Sequence, residues 1–150
     1  MRFIETMLRT HPRADRERMA DYASVIDALE QCAGICSACA DACLGEAGEL
    51  LRRCIQVSLD CADVCAATAR LVLRQTETPN DLVHAQLHAC ALACRICAEE
   101  CEALTLRHQH CRVCAEACRQ CQERCNFLIG ELSSSAIAED VNPGESPSML

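Results

Sequence analysis

Sixteen of the 150 residues are cysteines, and their spacing is regular. Cys32, Cys36, Cys39 and Cys43 follow one another in steps of 4, 3 and 4. Cys90, Cys94, Cys97 and Cys101 repeat those steps, and Cys111, Cys114, Cys118, Cys121 and Cys125 run 3, 4, 3 and 4. A shorter series holds Cys54, Cys61 and Cys65, with Ser58 where a thiol would restore the 4, 3, 4 pattern. Alternating steps of three and four trace the inward seam of a helix packed in a bundle. Every cysteine therefore falls on a core position.

Helical residues at i and i+4 share a face, with Cβ atoms about 5–6 Å apart. Two thiolates so placed can grip one ion from opposite sides. A disulfide is disfavoured, because it needs Cβ atoms about 3.5–4.5 Å apart. The chain contains seven separable CxxxC pairs: Cys32/Cys36, Cys39/Cys43, Cys61/Cys65, Cys90/Cys94, Cys97/Cys101, Cys114/Cys118 and Cys121/Cys125. Cys54 and Cys111 are left over.

Soft thiolates select Cu(I), Zn or iron–sulfur clusters. A two-coordinate thiolate pair suits Cu(I), whereas Zn prefers closed tetrahedral sites. The four CxxC pairs lie inside continuous seams, not on knuckle loops. No ferredoxin-type C-x2-C-x2-C-x3-C-P run occurs. No βαβ pattern accompanies the CxxC pairs, as a thioredoxin-like site requires. None of the five histidines has Glu three residues before it, which a di-iron bundle would need. A core of sixteen bare thiols would pack poorly and oxidise easily. Buried thiolates need neutralising cations, and one Cu(I) per thiolate supplies them.

The elements that must carry these seams are helices. Ala, Leu, Glu, Gln and Arg dominate, no run alternates with period two, and β-branched residues are scarce. Residues 2–9 read as a short separate helix. A long helical stretch follows from Pro12 to residue 44, and Leu44-Gly45-Glu46-Ala47-Gly48 breaks it. A second helix is expected over 49–75. Thr78 as N-cap, Pro79 at N1 and Asp81 at N3 open a third, to about residue 104. A connection over 105–109 leads to a fourth helix ending near Gly130. Short connections imply antiparallel neighbours. The expected fold is thus all-α: an antiparallel up-down-up-down four-helix bundle with a cysteine-lined core over residues 1–132 and a short N-terminal helical extension. Residues 133–150, rich in Ser, Pro, Gly and acid, are expected as a disordered or loosely packed tail.

Beyond the thiols the seams turn conventional. They run through Tyr22, Val25 and Leu29, through Thr68 and Val72, through Val83 and Leu87, and through Leu128 and Leu132. In an up-down bundle these extensions meet at one end as an apolar plug. The other end gathers Cys43, Cys54, Cys101 and Cys111, with His108 and His110 beside them. His108 continues the Cys111 seam, whereas His110 is adjacent to Cys111 and out of register. Both are candidate ligands that pass an ion inward. His84 and His88 stand near the plug end as surface or interface residues, and Met7 and Met19 are expected to pack.

Charge narrows the function classes. All 14 basic residues are Arg, against 22 acids, for a net charge of −8. That argues against nucleic acid or an anionic membrane as a partner. No stretch of 18 apolar residues is present. The N-terminal segment carries Glu5 and Asp15 without a long apolar run, so neither a secretory signal nor a twin-Arg leader is expected. A reducing, cytoplasmic setting follows, in which thiols stay free or bind metal.

With CAGICSACADAC from Cys32, CALACRICAEEC from Cys90 and CRVCAEACRQCQERC from Cys111, the chain resembles the bacterial copper storage proteins over residues 19–132. That resemblance implies non-enzymatic storage or detoxification of many Cu(I) ions, held mainly by CxxxC pairs, in a cytosolic homotetramer. Copper ions are the implied partner, with a copper chaperone or a low-molecular-weight thiol as donor or acceptor. Ser58 departs from the pattern and puts a site partnered with Cys54 in doubt. The competing readings are a Zn or Cd thiolate buffer, a thiol redox protein using CxxC, and a metal-free helical interaction module.

Overall fold

The computed structural model describes residues 2–46 and 51–140. All regular structure in them is helical: α1 (Arg2–Thr10), α2 (Met19–Leu44), α3 (Arg52–Leu73), α4 (Asn80–Glu102) and α5 (Gln109–Asp140). The four long helices form a ring, in which α2 packs on α3 and α5, and α4 packs on the same two. This is the expected antiparallel bundle. The separate N-terminal helix α1 rests on α2, burying Leu8.

The long helix does not begin at Pro12. Residues 11–18 are turns, and α2 starts at Met19. The physical reason is local. His11 Nδ1 accepts from the Arg13 N–H at 3.0 Å, and Asp15 Oδ1 accepts from the Glu17 N–H at 3.0 Å. Such side-chain bonds hold backbone groups out of the helical ladder. Gly45 ends α2 with φ at −79° and its N–H turned back to Asp41 and Ala42 carbonyls. This stop therefore uses no left-handed glycine.

Thr78 does not cap α4. Its Oγ1 donates to the Arg74 carbonyl at 3.0 Å, closing the end of α3, and Pro79 occupies the cap position. Asp81 keeps its expected place in the first turn. The largest difference lies in α5, which continues past Gly130 to Asp140. Ser133 and Ser135 each donate to the carbonyl one turn back, at 2.8 and 3.0 Å, so the serines follow the helix instead of ending it. Arg18 also donates to Ser135 Oγ at 2.6 Å, fastening this extension to the α1–α2 link. The part of the expected tail over 141–150 lies outside the described residues, as do Ala47, Gly48, Glu49 and Leu50.

Val25, Leu29, Val72, Val83, Leu87 and Leu128 are buried at the plug end, as the seams predict. Tyr22 and Leu132 are half-buried against them. Ile26 is fully buried although it lies beside the seam. Met19 is buried, but Met7 is 68% exposed and does not pack. The residue Thr68 marks the boundary between plug and thiols. Its hydroxyl is buried, donates to the Val64 carbonyl at 2.6 Å, and accepts from Gln86 at 3.0 Å. Among the described residues no helix is long and apolar enough to cross a membrane.

Candidate metal centre

All sixteen cysteines are buried and free. Their sulfurs approach to 3.5–3.9 Å, contact distance rather than the roughly 2.05 Å of a disulfide. The i, i+4 pairs Cys32/Cys36 and Cys61/Cys65 both stand at 3.8 Å. Contacts between helices are equally close: Cys36–Cys118 at 3.5 Å, Cys36–Cys114 at 3.8 Å, Cys61–Cys94 at 3.8 Å, Cys65–Cys90 at 3.7 Å and Cys97–Cys114 at 3.9 Å.

These contacts organise into quartets whose sulfurs all lie within 4.8 Å of one another. One is Cys65, Cys90, Cys94 and Cys121; the next is Cys32, Cys61, Cys65 and Cys94. Then come Cys32, Cys36, Cys61 and Cys118, and after them Cys36, Cys97, Cys114 and Cys118. At the rim stand Cys39, Cys43, Cys54 and Cys111. Each of these quartets joins one CxxxC pair to one sulfur from each of two other helices. The pair identified in the sequence is thus a unit, completed by neighbours that sequence spacing does not specify. Cys54 and Cys111, left over along the chain, meet Cys39 and Cys43 here. Cys54 lies 3.5 Å from Cys43 and 3.8 Å from Cys101. Cys125 adjoins Cys121 and Cys90 at the inner end. Ser58 is fully buried in the thiol column, 4.0 Å from Cys54 and 3.6 Å from Cys97.

The rim carries a polar cluster. His110 Nδ1 is 3.6 Å from both Cys39 Sγ and Cys111 Sγ, and its Nε2 is 3.1 Å from Glu46 Oε1. His108 is buried, with Nδ1 3.1 Å from the same carboxylate oxygen. So the out-of-register histidine reaches the thiols, and the histidine in register reaches the acid. Glu46 is the residue that sequence reasoning missed. Its one signal was an acid in the turn after Cys43, at the end where the histidines gather. Beside this cluster a cleft of about 310 Å³ opens between α2 and α5, lined by Ile35, Ala38, Cys39, Ala42, His110 and Val113. His84 and His88 lie elsewhere, near the plug end, as surface residues.

Burial pushes the Cys43 and Cys111 thiols up, and like charge on neighbouring thiols adds to it. In the same cluster Cys39 is held low, first by hydrogen bonds from Cys101, Cys114 and Cys54, and also by His110. Desolvation disfavours the charged His110 ring, but Cys39 and Glu46 outweigh it and raise its pKa. Glu46 is held below the usual carboxylate range by His110 first, and also by His108. The rim therefore pairs a sulfur held low with imidazole and carboxylate, whereas burial raises Cys43 and Cys111 beside it. Deeper in, Cys61 is lowered to about 6 by hydrogen bonds led by that from Cys118.

A profile of the family described as Copper storage protein (Csp) matches residues 18–130. Among solved structures, the copper storage protein Ccsp from Streptomyces lividans loaded with 10 copper equivalents is 43% identical. It aligns over 85% of this chain and 98% of its own, with a TM-score of 0.81. A structure of copper loading to that cytosolic protein, with five coppers, is 45% identical over 74% of this chain and 93% of its own, at 0.72. A histidine-to-alanine variant of the same protein is 44% identical over 79% and 97%, at 0.74. No curated protein matches the chain.

Proposed function

The chain belongs to the copper storage protein family, and from that premise we propose that it stores many copper ions as Cu(I) inside its bundle. The ligands are the thiolates of Cys32, Cys36, Cys39, Cys43, Cys54, Cys61, Cys65, Cys90, Cys94, Cys97, Cys101, Cys111, Cys114, Cys118, Cys121 and Cys125. His108 and His110 serve the rim. The observation that carries this reading is that neighbouring quartets share sulfurs: Cys32, Cys36, Cys61, Cys65, Cys94 and Cys118 each belong to two of them. A shared thiolate suits bridged Cu(I), which accepts low coordination numbers.

A Zn or Cd buffer is the second reading, favoured by one observation. Four thiolates around Zn at about 2.3 Å have sulfur–sulfur edges of about 3.8 Å, close to the spacings found here. The two readings differ in capacity, because four-coordination on shared sulfurs holds far fewer ions than there are thiols, whereas two-coordination allows about one Cu(I) per thiol.

Storage involves no catalysed reaction. The chain works in the cytoplasm as a homotetramer, receiving copper from a chaperone or a small thiol. Copper reaches the column at the rim, by the cleft that opens on Cys39 and His110. There imidazole and thiolate replace water stepwise, whereas the plug offers no ligand to offset desolvation.

Anaerobic titration of the reduced protein tests the reading. Uptake of the order of one Cu(I) per thiol is expected, with proton release because each ligand must become thiolate. Since burial raises Cys43 and Cys111, affinity at the rim falls as pH falls. Saturation at two to four ions, or retention of Zn against Cu(I), excludes it. Thiol–disulfide turnover lost with Cys36 and Cys39 would favour the redox reading instead.

A further inference from the structure

A pair of imidazoles stands on α4 well away from the thiol rim. His84 and His88 are one helical turn apart, with ring centres 4.7 Å apart and planes inclined at 67°. His84 is half-buried and His88 exposed. Spacing alone does not make a site, but a hydrogen-bond chain behind His84 fixes which of its nitrogens carries the proton. Ser133 Oγ lies 3.1 Å from His84 Nε2 and 2.8 Å from the Ile129 carbonyl. A hydroxyl has one proton, and the carbonyl can only accept, so that proton goes to Ile129. Ser133 must therefore accept from His84, which places the ring proton on Nε2 and leaves a lone pair on Nδ1. Metal-binding histidines are held in this way, with the second ring nitrogen donating to an oxygen behind it.

The ring spacing agrees. Two imidazoles bound at about 2.0–2.1 Å to neighbouring positions of one ion have ring centres about 4.5–5.2 Å apart. We propose that His84 and His88 form a second metal site, an imidazole chelate for a single borderline divalent cation. The site differs in chemistry from the core. It offers neutral nitrogen instead of soft thiolate, and so favours Cu(II), Ni(II) and Zn over Cu(I), with Cu(II) the tightest of the divalent ions. Asp81, one turn before His84 and exposed, adds negative charge on the same helix. The remaining positions on the ion are left to water. Because Ser133 lies in the part of α5 beyond residue 132, that extension of the helix acquires a role in orienting the ligand.

The test uses the full chain already loaded with Cu(I), so that the core thiols are occupied, and Ni(II), which thiols do not reduce, as the probe. Equilibrium dialysis under nitrogen is expected to show one Ni(II) per chain. That equivalent should vanish in His84→Ala and in His88→Ala, and persist in His11→Ala. Ser133→Ala should weaken it about tenfold, the lower bound for losing a group that orients a ligand. With Cu(II) as probe, the electron paramagnetic resonance spectrum should carry nitrogen splitting that disappears in His84→Ala. Undiminished Ni(II) in a chain lacking both His84 and His88 would overturn the proposal, as would unchanged affinity in Ser133→Ala. Circular dichroism of each variant establishes that a lost equivalent is not a lost fold. Parent and variants are compared at equal Cu(I) loading, so that any Ni(II) taken by a free thiol is common to all and the difference reads the imidazole pair alone.

Discussion

The two ends of this bundle are built on the same four seams and have unlike interiors. At one end the inward positions are Val25, Leu29, Val72, Leu87 and Leu128, all buried. At the other they are Cys39, Cys43, Cys54, Cys101 and Cys111, buried just as completely. Register alone therefore does not separate structure from chemistry. The plug contributes larger apolar side chains, each removing far more area from water than a thiol does. The thiol end brings groups that repel one another when ionised and need a cation to settle them. The division is clean at Thr68, where a satisfied buried hydroxyl stands between the two. The lesson is that one end holds the fold while the other is free to exchange its contents.

The sharpest way to break this comparison is to hollow out the plug. Leu29→Ala or Leu87→Ala removes a fully buried side chain and is expected to cost about 2–5 kcal/mol of apo stability. Urea denaturation under reducing conditions reads it. Copper capacity of the folded fraction should be unchanged. A parallel loss of capacity would mean that the two ends are not separable.

Substitutions in the thiol column should show the opposite signature. Cys36 belongs to two quartets, with a sulfur 3.5 Å from Cys118 and 3.8 Å from Cys114. Cys36→Ser is therefore expected to lower capacity by more than one Cu(I), with little change in apo stability. Ser58→Cys, in a slot already 3.6 Å from Cys97, should raise it by about one. Inductively coupled plasma measurement of copper per chain distinguishes these. A loss of one Cu(I) or less in Cys36→Ser would mean that sulfur sharing does not govern capacity.

Removing copper with a strong chelator should leave helicity nearly intact, because plug burial does not depend on metal. Amide exchange should then rise in the thiol-bearing turns near Cys43 and Cys54, and stay slow around Val25 and Leu87. A coil-like apo spectrum would instead point to metal-driven folding.

Much of this was legible in the sequence, for identifiable reasons. A period of alternating threes and fours survives any packing detail, so the helices and the burial of every thiol followed from spacing, and the antiparallel order from the short connections. Helix ends were less legible, because they depend on single hydrogen bonds. Thr78 serves the end of α3 and not the start of α4, and Ser133 and Ser135 extend α5 where their composition suggested a tail. The quartets were legible only as halves: Cys61/Cys65 is visible along one helix, while the contributions of Cys32 and Cys94 require three helices at once. Glu46 carried least signal, since a lone acid in a glycine-bearing turn has no period.

The smallest expected effect is at that residue. Glu46 Oε1 takes a hydrogen bond from His110 Nε2 and another from His108 Nδ1, both at 3.1 Å. With Nε2 so engaged, Nδ1 of His110 points at Cys39 and Cys111. The carboxylate thus orients the ring from the solvent side, as groups behind metal-bound histidines do. Replacing His108 and His110 together by Ala should slow Cu(I) transfer to and from a competing chelator clearly, with capacity nearly unchanged. Glu46→Gln keeps a carbonyl oxygen that can accept both bonds but loses the charge, so it should slow transfer less than the double histidine variant does. Val25→Ala with Leu128→Ala, at the plug, should change stability more than rate. Stopped-flow transfer to the chelator, with all three variants compared, decides between two pictures of the rim. If Glu46→Gln slows transfer as much as loss of both histidines, the carboxylate is itself the group that receives the ion. If the plug variant loads much faster while the histidine variant matches the parent, copper passes through the other end of the bundle.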